Sequence, residues 1–281
     1  MMSFLLSASN TPPWLGGPNI LYAGIYGYGF ASYESRILEV YNSKGAYITE
    51  GSSMGGQNAN LGGGAFLRWN QIGISLDFSE AFYNSWTYKG TDYPDTSFYQ
   101  RVGLDITWHI NNESWTGIGL GFRSLRYASG LGFQLPDTSD SIAKIGRNVP
   151  LPNATVRFFS LGLQGKFFVE AENLYADRRG LLPWVGGYVG YAQASLEAGE
   201  PLNATSDAAG FHIEASLGLD FYVQPWLCFW ISGRYSTFET TFPLSLPSSN
   251  KYKDIYDNVR TSSGITSVQG GIRLTFTRER Y

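Results

Sequence analysis

The stretch FYQRVGLDITWHI, residues 98–110, decides the fold because it alternates along its whole length. The apolar parity holds Phe98, Val102, Leu104, Ile106, Trp108 and Ile110; the opposite parity holds Tyr99, Arg101, Gly103, Asp105, Thr107 and His109. Successive side chains of a β-strand point to opposite faces, so a period of two predicts a strand. The run exceeds the ~5 to 6 residues of an ordinary strand and is long enough to cross a bilayer at a tilt.

The same period recurs along the chain. It is clear in 72–78 and 211–223, and weaker in 115–127, 156–168, 183–196, 226–238 and 264–276. Counting back from the C-terminus gives nine strands between Leu61 and Phe276, and a further strand near residues 20–33 makes ten. An even number is the rule for bacterial single-chain membrane barrels.

Composition agrees with a barrel that spans a membrane. The 281 residues include 34 glycines and 16% aromatic residues, but only 15% are charged, against a usual ~25%. No apolar run approaches the ~20 residues of a transmembrane helix, which excludes a helical membrane protein. A mean hydropathy of -0.16 fits strands whose lipid-facing and lumen-facing residues average out. We therefore predict an all-β fold, a transmembrane antiparallel up-and-down β-barrel of about ten strands.

The remaining totals exclude other classes of function. A net charge of -3 gives no basic surface for nucleic acid. A single cysteine, Cys228, and two histidines leave too few soft ligands for a zinc site, and no cofactor is indicated. Residues 1–17 read as an N-terminal segment, a signal remnant or periplasmic tail, and 18–281 as the barrel.

The links between predicted strands alternate in length. Short links occur at 70–71, 111–114 and 224–225, and long ones at 83–96, 127–153, 198–208 and 242–263. Short periplasmic turns and long extracellular loops are typical of outer-membrane barrels. The link 169–182 is long for its predicted periplasmic side. Residues 34–60 are predicted to be a first long loop; the alternative, in which 37–50 is a spanning strand, would make the count odd.

The C-terminus resembles the assembly signal of bacterial outer-membrane proteins, a polar residue, a glycine and two hydrophobic positions that end in an aromatic. The residues that carry this resemblance are Gln269, Gly271, Leu274 and Phe276, although Thr277 to Tyr281 follow where the family usually stops. The resemblance implies insertion by the outer-membrane assembly machinery, location in the bacterial outer membrane, and contact with the lipid bilayer and lipopolysaccharide.

Ten strands with long loops also resemble the omptins, the outer-membrane proteases. Omptins carry an acidic pair in one loop and an Asp/His pair in another. Here Asp92 and Asp95 precede Phe98, but the later loop, Glu200 to Gly210, has no histidine near its tip, and the nearest is His212 inside a strand. The resemblance therefore extends to architecture and not to the catalytic pattern.

On the inferred parity the lumen receives most of the scarce charge: Asp77, Arg101, Asp105, Arg123, Lys166, His212, Glu214, Asp220, Arg234 and Arg273, with His109 near a turn. Arg101, Arg123, Glu214 and Arg234 fall at about mid-height. Barrels of eight strands are filled by side chains and those of 16 enclose water, so ten strands lie near the filled end. Two interpretations remain open, a salt-bridged plug and a narrow pore lined by the same residues.

Three further patterns have local interpretations. His212, Glu214 and Ser216 share one strand face, but neighbours at i and i+2 lie ~6.6 Å apart, too far for a direct catalytic relay. Aromatic residues beside the predicted turns favour a girdle at the membrane boundary; they are Trp108, Trp115, Phe167, Phe168, Trp184, Trp226 and Phe276. Glycine runs such as 62–64 are interpreted as positions of strong curvature.

These observations predict a non-enzymatic outer-membrane barrel. It would act as a narrow porin-like channel, or as a structural or binding barrel whose external loops contact an extracellular ligand or partner. The alternative is an outer-membrane hydrolase, of protease or lipid-modifying type, on the same scaffold. A soluble β-barrel is a weaker alternative.

Overall fold

The computed structural model describes residues 19–41, 51–55, 60–88, 91–94, 98–110, 115–128, 154–169, 180–199, 203–250 and 258–280. Every regular element among them is a strand: β1 (Asn19–Tyr41), β2 (Gly51–Gly55), β3 (Asn60–Trp69), β4 (Ile72–Tyr88), β5 (Thr91–Pro94), β6 (Phe98–His109), β7 (Gly117–Ala128), β8 (Ala154–Phe168), β9 (Gly180–Ala198), β10 (Ala204–Gln224), β11 (Leu227–Pro243) and β12 (Asn258–Arg280). The described residues contain no helix long and apolar enough to cross a membrane.

The strands form one closed antiparallel barrel with ten positions. Strands pair in chain order around the barrel, apart from β2 with β3 and β5 with β6, and β12 pairs with β1 from Asn19↔Arg280 to Tyr41↔Asn258, which closes the sheet. The short strands β2 and β3 share one position, since both lie between β1 and β4. β5 and β6 share another, because both pair with the same β4. The predicted ten-strand antiparallel barrel is confirmed.

The two ends of the barrel differ. One end, here called the turn end, carries the tight turns at residues 70–71 and 225–226, together with the start of β1 and the end of β12. The link between β6 and β7 lies at the same end, whereas the opposite end, here called the loop end, carries the links that follow β9 and β11. In outer-membrane barrels short turns face the periplasm and longer loops face outward.

Four of the predicted loops are wrong in extent. In the predicted link 83–96, residues 83–88 belong to β4 and Thr91–Pro94 forms β5, and in the predicted link 242–263, residues 258–263 belong to β12. Residues 34–41 belong to β1 and pair with β12, and Gly51–Gly55 forms β2, so the predicted first loop 34–60 is mostly barrel wall. The predicted long link 198–208 is short, because β9 ends at Ala198 and β10 begins at Ala204. Residues 42–50, 129–153 and 1–18 lie outside the described residues. In residues 34–41 of β1 the pairing with β12 continues past the point where the alternation expected for a membrane segment ends.

An apolar belt surrounds the turn-end part of the barrel. On β10 the outward side chains from Phe211 to Val223 are mostly apolar, and the inward ones between them include His212, Glu214 and Asp220. Twelve residues at ~3.4 Å each and a tilt of ~40° span about 30 Å, the thickness of a bilayer core. Exposed apolar side chains such as Leu163, Ile106 and Ile231 occupy the same belt on other strands.

Beyond the belt, toward the loop end, the polarity of the wall reverses. On β10 Asp207 points outward and Ala208 inward; on β11 Glu239 points outward, whereas Phe238 and Phe242 point inward and are buried. The six residue steps from Ala204 to Gly210 add about 15 Å to the barrel's height. An apolar interior under a polar exterior is the pattern of a protein in water. The strands therefore continue past the belt into a second part of the barrel, here called the loop-end extension.

Candidate functional site in the barrel interior

A cluster of six charged side chains crosses the barrel at mid-height. Its centre is Glu214 on β10, whose carboxylate accepts two hydrogen bonds from Arg101, at 2.9 Å from Nε and 2.9 Å from Nη2. The same carboxylate accepts hydrogen bonds from Arg123 Nε at 3.2 Å and from Arg234 Nη2 at 2.9 Å. Three guanidinium groups from three other strands thus converge on one carboxylate.

Two more carboxylates complete the cluster. Asp77 on β4 forms a salt bridge with Arg101, and Asp105 on β6 lies 2.6 Å from Arg123 Nη1. The hydroxyls of Tyr26 and Tyr28 each donate a hydrogen bond of 3.1 Å to Asp77 Oδ2. This central cluster, consisting of Asp77, Arg101, Asp105, Arg123, Glu214 and Arg234, has three positive and three negative groups. Buried charges are tolerated when they are paired in this way.

His212 lies beside the central cluster and is held by two serines. Its Nδ1 is 3.1 Å from Ser160 Oγ, its Nε2 is 3.0 Å from Ser236 Oγ, and Tyr188 donates to Ser160 at 2.8 Å. His212 is 0% exposed. Its Nε2 also lies 3.4 Å from Glu214 Oε1, so the expectation that these i and i+2 neighbours stay too far apart is wrong, whereas Ser216 is not among the residues that His212 contacts. The histidine is a satisfied interior residue with no room for a substrate beside it.

The loop-end side of the cluster is filled by apolar side chains. This apolar plug consists of Ala81, Tyr99, Leu125, Val156, Phe158, Ala192, Ala194, Leu196, Ala198, Phe238, Phe242, Leu244, Leu246 and Ile265. Phe158 and Phe238 pack with ring centroids 4.3 Å apart. Leu244 and Leu246 come from the link after β11 and fold inward over the barrel mouth. Close packing of this kind excludes water.

The turn-end side of the cluster encloses a cavity of about 300 Å³, here called the turn-end chamber. Its walls combine groups of the central cluster with Lys166, Asp220 and Arg273. Arg273 forms a salt bridge with Asp220, and Trp184 Nε1 donates to the same carboxylate at 2.9 Å. The Nζ of Lys166 lies 3.8 Å from the centroid of the Trp184 ring. The interior is therefore packed toward the loop end and hollow toward the turn end.

Aromatic rings surround a buried arginine at the turn end. The guanidinium carbon of Arg68 lies 5.4 Å from the ring centroid of Tyr22 and 5.0 Å from that of Trp115. His109 packs edge-on against Trp115 and points inward, in agreement with its lumen parity. Its Nδ1 has no hydrogen-bond partner among the described residues. Aromatic rings over a guanidinium contribute cation–π attraction.

The structure places all ten predicted lumen residues inside the barrel. Six of them form the central cluster. His212 lies next to this cluster on the side of the apolar plug, and Lys166, Asp220 and Arg273 line the turn-end chamber. Cys228 is buried there with its Sγ 3.3 Å from Arg273 Nη2. The described residues include no group of three or more His, Cys, Asp or Glu placed to hold a metal ion.

The predicted aromatic girdle is only partly correct. Trp108, Phe167, Trp226 and Phe276 point outward at the turn end and are exposed, but Trp115, Phe168 and Trp184 point inward and contact interior side chains. Proximity to a turn does not fix the face on which a ring lies; the parity of the strand does.

The sequence did not identify the interior tyrosines. A Cβ at Gly62 would collide with the ring of Tyr28, and one at Gly64 with the ring of Tyr26. These glycines therefore provide space for rings from the neighbouring strand, rather than only curvature. The signal in the sequence that could have identified them is that both tyrosines have the lumen parity and that a glycine run occurs on the next strand.

The residues of the predicted assembly signal lie on β12. Gln269 is buried and faces inward, whereas Phe276 faces outward in the apolar belt. Gly271 packs closely against β1, where Tyr28 lies beside it. Their role in recognition by the assembly machinery stays a prediction.

Comparison with known proteins gives a likeness of fold. No protein-family model matches the chain, and no curated protein sequence matches it. Among solved structures, the outer membrane protease OmpT of Escherichia coli aligns with a TM-score of 0.57 and 14% identity over 94% of this chain and 100% of its own. The outer membrane protein OprG of Pseudomonas aeruginosa aligns with a TM-score of 0.40 and 12% identity, over 90% of this chain and 95% of its own. The likeness to OmpT confirms the predicted omptin-like architecture.

Proposed function

We propose that the protein is an integral barrel of the bacterial outer membrane that does not conduct solutes and acts through its loop-end extension. The observation that carries this proposal is the closed interior. The central cluster spans the lumen with paired charges, and the apolar plug fills the space beyond it. The loop-end extension would stand outside the membrane as a rigid platform, where binding sites usually occur.

The interior gives less support to the two competing functions, a narrow pore and a hydrolase. A narrow pore along the lumen would need a path past the central cluster, but Arg101 and Glu214 are bonded to each other across the lumen and the apolar plug fills the space beyond them. A hydrolase built on His212 would need access for a substrate, whereas His212 is enclosed between the central cluster and the plug. We therefore favour a non-conducting barrel that acts through its loop-end extension.

Conductance tests the closed interior directly. The refolded protein, checked by its heat-modifiable mobility, is added to a planar lipid bilayer under voltage, next to a porin that shows the assay works. We expect no current steps above those of the bare membrane. Discrete steps from the folded protein would overturn the proposal and support the narrow channel.

Protease access tests the membrane location and orientation. A protease recognition sequence is inserted after Gly199, in the short loop-end link, and in a matched variant between Asn70 and Gln71, in a turn-end turn. With protease added to intact cells, we expect cleavage at the first site only. Cleavage of both, or of the turn-end site alone, would contradict the orientation or the membrane span.

Lipopolysaccharide is the partner that we propose for the outer wall. Arg126 and Arg157 are direct cross-strand neighbours, both point outward, and they lie one step beyond the stacked rings of Phe122 and Phe159 in the belt. Like charges placed directly opposite each other are destabilising, and Glu197, 3.7 Å from Arg157, offsets only one of the two. A lipid phosphate at the membrane surface would offset the charge that remains. We expect Arg126→Gln with Arg157→Gln to reduce the lipopolysaccharide that copurifies with the protein, while Arg260→Gln would not.

A further inference from the structure

Lys166 is the one cation of the turn-end chamber that forms neither a salt bridge nor a hydrogen bond with any described residue. It lies on β8 and points inward, with its Nζ 3.8 Å from the ring centroid of Trp184 and 4.8 Å from that of Phe168. Asp220, a carboxylate in the same chamber, is already bonded by Arg273 and by Trp184 Nε1. The two aromatic rings attract the ammonium group but do not neutralise its charge.

The charges around the chamber do not cancel. Apart from Arg68 at the turn end, the described Asp, Glu, Lys and Arg side chains of the wall are four anions and five cations: Asp77, Asp105, Glu214 and Asp220 against Arg101, Arg123, Lys166, Arg234 and Arg273. The central cluster is neutral by itself, and Arg273 offsets Asp220, so the excess positive charge belongs to Lys166. An unbalanced charge inside a membrane protein is costly and is associated with ligand or ion sites.

The chamber has room for a ligand next to this lysine. The cross-strand neighbours of Lys166 are both glycines, Gly117 on β7 and Gly186 on β9, so neither neighbour contributes a side chain beside it. The cavity of about 300 Å³ is at the lower limit of small-molecule sites. The space beside the ammonium group is therefore open within the chamber.

Further donors face the same space. Arg273 makes its hydrogen bonds with Nη2 alone, to Asp220, Tyr222 and Cys228, which leaves its Nε and Nη1 without a partner among the described residues. Gln164, two residues before Lys166 on the same face, also lines the cavity. An ammonium group with a planar guanidinium fork matches the oxygens of a carboxylate or phosphate better than it matches a halide.

We propose that the turn-end chamber is a binding site for a small oxyanion, a carboxylate or a phosphate group, held by Lys166 and Arg273. The site lies on the turn-end side of the central cluster, so it would be filled without transport through the barrel. The proposed site does not depend on the function proposed for the loop-end extension. A barrel that conducts could still bind the anion, and a closed barrel could lack the site.

Ligand-dependent stability tests the site in the intact folded protein. The midpoint of thermal unfolding is measured in detergent with increasing sodium phosphate, sodium acetate or sodium chloride at constant ionic strength. Lys166→Met removes the charge and Lys166→Arg keeps it, and both replacement side chains are similar in size to lysine. Arg260→Gln is the matched control, since it removes a cation from the exposed outer wall at a position outside both proposed sites.

We expect phosphate or acetate to raise the unfolding midpoint of the natural protein more than chloride does; whichever of the two acts at the lower concentration identifies the oxyanion. Lys166→Met should weaken this effect about tenfold or more, as loss of a charge-assisted hydrogen bond predicts, whereas Lys166→Arg and Arg260→Gln should keep it. A Lys166→Met protein that folds and responds to the oxyanions like the natural one would overturn the proposal. Equal responses to chloride, or none to any anion, would do so too.

Discussion

Neutralising Glu214 is the sharpest test of the central cluster. Glu214→Gln keeps the size of the side chain but removes the charge that accepts four hydrogen bonds from Arg101, Arg123 and Arg234. Arg101 keeps Asp77 as a partner and Arg123 keeps Asp105, but Arg234 loses its salt bridge. The main cost is therefore one guanidinium group without a carboxylate in a largely dehydrated interior.

The size of the effect follows from these contacts. Four charged hydrogen bonds at ~1.5–3 kcal/mol each give an upper bound of about 6–12 kcal/mol. The glutamine still accepts through one oxygen, and two of the three arginines remain paired, so we expect about 3–5 kcal/mol, the usual cost of removing one partner from a buried pair. The measurement is denaturant unfolding in lipid vesicles, followed by tryptophan fluorescence and by heat-modifiable mobility.

Two controls make the result specific. Glu197→Gln removes a carboxylate from an exposed pair with Arg157, 3.7 Å apart on the outer wall, and should cost less than about 1 kcal/mol. Adding Arg234→Gln to Glu214→Gln should restore part of the lost stability, because the unpaired guanidinium group is then gone. If Glu214→Gln were no less stable than Glu197→Gln, the central cluster would not stabilise the barrel as we infer.

Further predictions concern the packing of the interior. Gly62→Ala should destabilise the barrel by about 1–3 kcal/mol, because the new methyl group would collide with the ring of Tyr28. Gly27→Ala is the control and should be nearly neutral, because there is open space at its Cβ. Equal effects of the two substitutions on the unfolding midpoint would refute this prediction. Phe158→Ala should cost about 3–5 kcal/mol by leaving a cavity in the apolar plug, and the lipid-facing Leu163→Ala should cost far less, as measured by the same denaturant unfolding.

Much of the fold could be predicted from the sequence, because the relevant signals are local. Alternation in 98–110 and its repeats fixes which side chains face lipid and which face the lumen, since successive residues of a strand must point to opposite sides. Where the membrane pattern holds, the predicted strands and the inward charges agree with the structure. The extent of the strands could not be predicted in the same way. Residues 34–41 form a strand outside the belt, where water replaces lipid and the pattern changes.

The sequence determined which charges are inside; only the tertiary structure decided which of them meet. Glu214 is 113 residues from Arg101 and 91 from Arg123, and these contacts depend on barrel closure and on strand register, which no local pattern specifies. The same applies to the reversal of polarity at the belt, the inward fold of Leu244 and Leu246, and the isolation of Lys166 among glycines of neighbouring strands. Parity is a property of one strand, whereas pairing, packing and cavities are properties of strands brought together.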